Sequence, residues 1–131
     1  MRRHVFALPA ALALALAATA VHAAAPEPRE HCFPSGGSWT SWSAPGNGDV
    51  LLLRVHINDI YRVDLTPGSH AYKSPGYYLV NVVRGSGWIC SAIDLDLSLN
   101  SDYGLRRPLI AVSMRKLTPD EVAAIPRKDL P

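Results

Sequence analysis

From residue 93 to residue 100 apolar and polar side chains alternate without a break, with Ile93, Leu95, Leu97 and Leu99 on one side and Asp94, Asp96, Ser98 and Asn100 on the other. A period of two belongs to an extended strand with one dry face and one wet face. The spacing predicts a strand over 93–100, and such a strand needs a core supplied by the rest of the chain.

The neighbouring segments read as the sheet it joins. Residues 38–43 form a short strand candidate, and residues 44–49 are a dense turn signal. Residues 50–57 set Leu51, Leu53, Val55 and Ile57 against Val50, Leu52, Arg54 and His56, and the apolar first half on both sides predicts a central position. Asn58 and Asp59 tolerate positive φ and predict a two-residue hairpin, after which Tyr61, Val63 and Leu65 return on the inward side. Thr66-Pro67-Gly68 and Ser74-Pro75-Gly76 bracket a loop carrying His70, Tyr72 and Lys73. Residues 77–83 are the next strand, and Gly85-Ser86-Gly87 turns the chain towards Trp88. Arg106-Arg107-Pro108 leads into a last strand over 109–116, with Ile110, Val112 and Met114 inward.

At the end of the chain Thr118 is an apt N-cap, Pro119 fits the first helical position and Glu121 completes a capping box, until Pro126 stops the helix. About six strands with short turns and one short C-terminal helix indicate an all-β fold, a small antiparallel barrel or sandwich. One conflict stands out. Trp88 and Cys90 share the parity of Asp94 and Asp96, so either a bulge near Ser91 and Ala92 swaps the sides or the N-terminal segment covers that face.

Residues 1–23 read as a secretory signal peptide: Arg2 and Arg3 make a basic start, an Ala/Leu-rich run follows, and Val21-His22-Ala23 is a small-residue exit. The apolar run is short for a membrane span, so no stable membrane insertion is expected after cleavage. Cleavage after Ala23 leaves 108 of the 131 residues: a Pro-containing leader over 24–31 that should be floppy, and one β-rich domain over 32–131. It also removes Arg2 and Arg3, leaving eleven basic residues against eleven acidic ones. A chain without basic excess gives no electrostatic case for nucleic acid or an anionic membrane as partner.

Cys32 and Cys90 are the only cysteines, and an even pair in an exported chain of this size reads as a disulfide. Closing 58 residues of chain stabilises the folded state by roughly 4 kcal/mol on the loop-entropy argument. The expected location is the periplasm or the secreted fraction.

Arg84-Gly-Ser-Gly-Trp-Ile-Cys90 followed by Asp94, together with the tail from Arg115 through Leu117-Thr118-Pro119 and Glu121-Val122-Ala123-Ala124 to Pro126, resembles the exported bacterial proteins grouped as domain-of-unknown-function family 6491. The resemblance implies a compact β-rich periplasmic or cell-surface domain with no assigned activity. Members of that family often carry two further cysteines, where this chain has Gly68-Ser69-His70 and Arg107-Pro108-Leu109. Their joint absence implies that they pair with each other and that Cys32 and Cys90 are the retained pair.

No motif carries catalysis. Asp94, Asp96, Ser98, Asn100 and Asp102 mimic a calcium loop, but Leu99 stands where its glycine is required and Leu105 where its glutamate is, so no metal is expected. Asp94 and Asp96, roughly 7 Å apart along one strand face, are a minor candidate for a hydrolase pair. His31, His56 and His70 match no zinc spacing, and no nucleophile elbow, phosphate loop or dinucleotide fingerprint is present, so no cofactor is expected. The remaining candidates are aromatic: Trp39, Trp42, Trp88, Tyr72, Tyr77 and Tyr78. Near turns such rings stack on sugars or anchor a partner, whereas in a small domain they more often complete the core. The expectation is a non-enzymatic structural or interaction module of the cell envelope with an envelope protein as partner. The alternative is a small-ligand or glycan binder using Trp39, Trp42 and Tyr77.

Overall fold

A computed structural model describes residues 31–36, 39–85 and 87–131 of the chain. The signal peptide expected over 1–23, and the leader apart from His31, lie outside the described residues. Nine strands follow in order among the described residues: β1 (Phe33–Pro34), β2 (Ser41–Ser43), β3 (Val50–Val55), β4 (Asp59–Leu65), β5 (Tyr77–Asn81), β6 (Trp88–Ile89), β7 (Leu97–Ser101), β8 (Arg106–Leu109) and β9 (Ala111–Lys116). Helix α1 (Pro119–Ala123) comes after them. The strands form three antiparallel sheets, ordered β2-β3-β4-β9, β5-β7-β8 and β1-β6, none closed on itself. The all-β fold is thus sandwich-like, not a barrel.

Alternation along the strands builds the core. Leu51, Leu53, Val55, Tyr61 and Val63 of the four-stranded sheet share one buried cluster with Leu79, Leu97, Leu99 and Leu109 of the three-stranded sheet. Each such side chain contributes about 1.5–3 kcal/mol on leaving water. Phe33 and Ile89 of β1-β6 belong to the same cluster, and the Phe33 ring meets Tyr61 edge-on with centroids 4.8 Å apart. The Cys32–Cys90 disulfide forms as expected and ties β1 to β6.

β3 is apolar on both sides because it is covered on both. It pairs with β2 and β4, and its Leu52 joins Ile60 and Leu117 in a second cluster packed by Val122, Ile125 and Leu130. The capping box at α1 is present: the Glu121 amide donates to Thr118 Oγ1 and the Thr118 amide to Glu121 Oε2. Ser43 Oγ donates to the Asp129 carbonyl at 2.6 Å, and Arg54 Nε to the Pro131 carbonyl at 2.9 Å. These bonds hold the C-terminal segment against the outer face of the sheet.

The strand expected over 93–100 is shorter. Ala92–Asp94 form a 3-10 turn, β7 starts only at Leu97, and Ile93 is 91% exposed. The Asp94 carboxylate accepts bonds from the amides of Cys90 and Ser91 and from the Ser91 hydroxyl, a local alternative to a strand ladder. Ser98, expected in solvent, is buried in the central strand between Val80 of β5 and Pro108 of β8. The same turn resolves the parity conflict: β6 pairs with β1 rather than continuing into β7, so Ile89 is buried and Trp88 stays 38% exposed.

Two further details differ. The hairpin loop after β3 is residues 56–58, with positive φ at His56, because Asp59 pairs with Val55 in the ladder and its carboxylate meets Lys116 Nζ at 2.9 Å. Ile57, expected inward, is thereby exposed at the loop tip. In β9 the register against β4 slips between Asp64 and Leu65, whose partners are Ser113 and Ala111. Val112 is the extra residue, and this bulge reverses the sides, so Ile110 and Val112 are exposed while Leu109 is buried. Residues 106–108 are not a lead-in but most of β8, an edge strand where Pro108 is tolerated.

Candidate functional site

The turn before β3 builds the site from below. Asp49 receives the Ser69 amide at 2.8 Å, the Gly68 amide at 3.0 Å, the His70 amide at 3.4 Å and the Asn47 side-chain amide at 2.8 Å. The backbone amides, that of Gly68 foremost and then those of His70 and Ser69, hold its carboxyl below the usual carboxylate range against desolvation. One residue earlier, the Gly48 carbonyl accepts the amide of buried Ala71 at 2.8 Å. The loop over 66–76 is thus pinned at its middle.

From the other side, Arg107 Nη2 donates to the His70 carbonyl at 2.6 Å. Loop and β8 enclose a cleft of about 490 Å³ lined by His70, Tyr72, Ser74, Tyr77, Leu99, Leu105, Arg106 and Arg107. That volume lies within the ~300–1,000 Å³ common for small-molecule sites. Tyr72 and Tyr77 are both exposed there, at 47% and 40%. No carboxylate belongs to the lining, and the Arg106 side chain makes no hydrogen bond or ion pair with any described residue. The cleft therefore pairs aromatic faces with uncompensated positive charge.

The His70 ring stacks on Tyr72 with centroids 5.9 Å apart, and its Nδ1 lies 3.1 Å from the Asn47 carbonyl and 3.3 Å from the Tyr72 hydroxyl. A carbonyl only accepts, so the contact with Asn47 is made by the tautomer with hydrogen on Nδ1. The contact orients the ring.

Of the six aromatic candidates read from the sequence, Tyr72 and Tyr77 line the cleft, and of Trp39, Trp42 and Tyr77, the three assigned to ligand binding, only Tyr77 does. Trp42 is 7% exposed within the main core, with Lys73 Nζ 5.7 Å from its ring centroid and donating to its carbonyl at 2.9 Å. Trp39 is half-buried against the same core. Asp94 is engaged at Cys90 and Ser91, and Asp96 pairs with Arg84 at 2.6 Å. Neither aspartate lines this cleft or the two cavities described next. Arg106 and Arg107 escaped the candidates although the Arg-Arg-Pro run was a visible signal, and Tyr72 was a candidate that the ligand-binding alternative did not include.

Two other cavities flank the fold. One, about 340 Å³, lies beneath α1 among Val50, Leu52, Leu117 and Ile125, but its rim cations are already paired as Arg62–Asp64 and Arg115–Glu121. The other, about 300 Å³, is lined by Ser43, Ala44, Pro45, Tyr72, Lys73, Lys128 and Asp129, and so shares Tyr72 with the cleft.

Among the described residues no His, Cys, Asp and Glu cluster is arranged to hold a metal ion, and no helix is long and apolar enough to cross a membrane. The disulfide is the chemistry of an oxidising, extracytoplasmic environment. Comparison of the chain with protein-family models, curated proteins and solved structures found no match in any of them.

Proposed function

We propose that this protein is an exported, non-catalytic binding module of the cell envelope, working in the periplasm or outside the cell. Its recognition site is the cleft between the 66–76 loop and β8, and its ligand carries a ring with an apolar face, as a glycan does. The observation that carries this reading is the pair Tyr72 and Tyr77, exposed in one concave site beside Arg106 and Arg107. Amphipathic rings held on a pinned loop offer stacking area at small entropic cost. The signal peptide read over residues 1–23 and the likeness of the Arg84–Cys90 stretch and the tail to exported envelope proteins agree with it.

The test is an NMR titration of residues 24–131 with a panel of oligosaccharides. Shifts concentrated at Tyr72, Tyr77 and Arg106, weakened tenfold or more in Tyr77→Ala, support the reading. A panel that leaves those signals unmoved defeats it.

A second reading, docking of an envelope protein, has its own observation. Ile110 and Val112 are exposed at β9, the edge of the four-stranded sheet, and the turn bearing exposed Ile93 lies against that strand. Capture of one defined envelope protein by the native chain, lost with Ile93→Ser and Val112→Ser, would favour it.

A further inference from the structure

We infer that the two cavities sharing Tyr72 form one path and that its ligand is an extended acidic oligosaccharide of the polyuronate kind, with ring faces on Tyr72 and Tyr77 and carboxylates at Arg106 and Lys128. This rests on the binding reading above and specifies its substrate class. Tyr72 belongs to both linings, so the two cavities adjoin at its side chain. The cations along the path are Arg106 and Arg107 on one side and Lys73 and Lys128 on the other, against the single carboxylate of Asp129.

These cations are not equivalent. Arg107 is engaged with the His70 carbonyl and Lys73 with the Trp42 carbonyl, so both shape the path. The side chains of Arg106 and Lys128 are exposed and make no hydrogen bond or ion pair with a described residue. A planar guanidinium suits bidentate carboxylate recognition, and an ammonium supplies a second, less directional charge. Two separated free cations with an aromatic wall between them suit repeated anions on a chain of rings better than one small anion.

The experiment is isothermal titration of residues 24–131 with galacturonate, tetragalacturonate, neutral maltotetraose and inorganic polyphosphate, on the native chain and on Arg106→Gln and Lys128→Gln. The inference expects tetragalacturonate to bind at least tenfold more tightly than the monomer and than maltotetraose, with Lys128→Gln removing the chain-length gain and Arg106→Gln weakening monomer and tetramer alike. Equal affinity for galacturonate and tetragalacturonate would overturn the two-cavity path. Equal affinity for maltotetraose would overturn the acidic class while leaving the cleft a glycan site. Polyphosphate binding as tightly as tetragalacturonate would overturn the saccharide assignment. No binding by any saccharide would remove the parent reading as well. Circular dichroism of both variants, which alter exposed side chains only, confirms that a loss of affinity is not a loss of fold.

Discussion

A Cβ placed on Gly48 would sit 2.6 Å from the amide nitrogen of Ala71 and 2.9 Å from the carbonyl carbon of His70, both backbone atoms. The turn before β3 and the loop forming the cleft therefore touch main chain to main chain, and only a residue without a side chain fits.

Gly48→Ala should be costly. Gly48 also has φ of +77°, so left-handed strain of about 1–2 kcal/mol adds to overpacking of about 1–3 kcal/mol. Gly68 has a similar φ of +83° with nothing within 4 Å, so Gly68→Ala should show the strain alone. Urea midpoints measure both, and equal losses would deny the close approach.

Opening Cys32–Cys90 should lower stability by about 4 kcal/mol, the value for a closed loop of this length. Among the described strands β1 and β6 pair only with each other, so their release should also be local. Hydrogen exchange of a Cys32→Ser, Cys90→Ser chain should show lost protection at Phe33 and Ile89 while Leu53 keeps its own. Uniform loss across all strands would speak against a separable pair.

Acid should weaken the C-terminal cap. Donation from Arg115, then from the Thr118 amide, takes the Glu121 acid from 4.5 down to about 2. A folded pKa below the unfolded one means the contribution is complete above about 4.5 and fades as pH falls towards about 2. Melting temperatures of native protein and Glu121→Gln should differ at neutral pH and converge as pH falls through that window. A gap independent of pH would assign the effect to shape instead of charge.

Ile93 and Leu97 occupy the same phase of the alternation but not the same environment. Ile93→Ser should change stability by no more than about 0.5 kcal/mol, as at exposed sites. Leu97→Ala, in the main core, should cost about 2–5 kcal/mol. Comparable losses would restore an unbroken strand over 93–100.

Local information reaches as far as local physics does. The period of two in β3 and β4, the Thr118–Glu121 capping box and the turn over 44–49 were legible because each is decided within a few neighbouring residues. The pairing of Cys32 with Cys90 followed from count alone. The alternation at 93–96 misled because a carboxylate that collects amides from Cys90 and Ser91 satisfies the backbone without a partner strand. The outward turn of Ile110 and Val112 depends on a one-residue slip against β4, which leaves no mark in the order of side chains.

The same division holds for the site. By itself the sequence determined a β-rich body, its capped tail and its cysteine pair, since periodicity, capping and cysteine count are properties of the chain. Only the tertiary structure decided that Trp42 is core, that Tyr72 and Tyr77 flank one cleft, and that Arg106 and Arg107 face a loop more than thirty residues earlier. A cleft is made by non-local packing, and burial of a ring depends on what the rest of the fold brings against it.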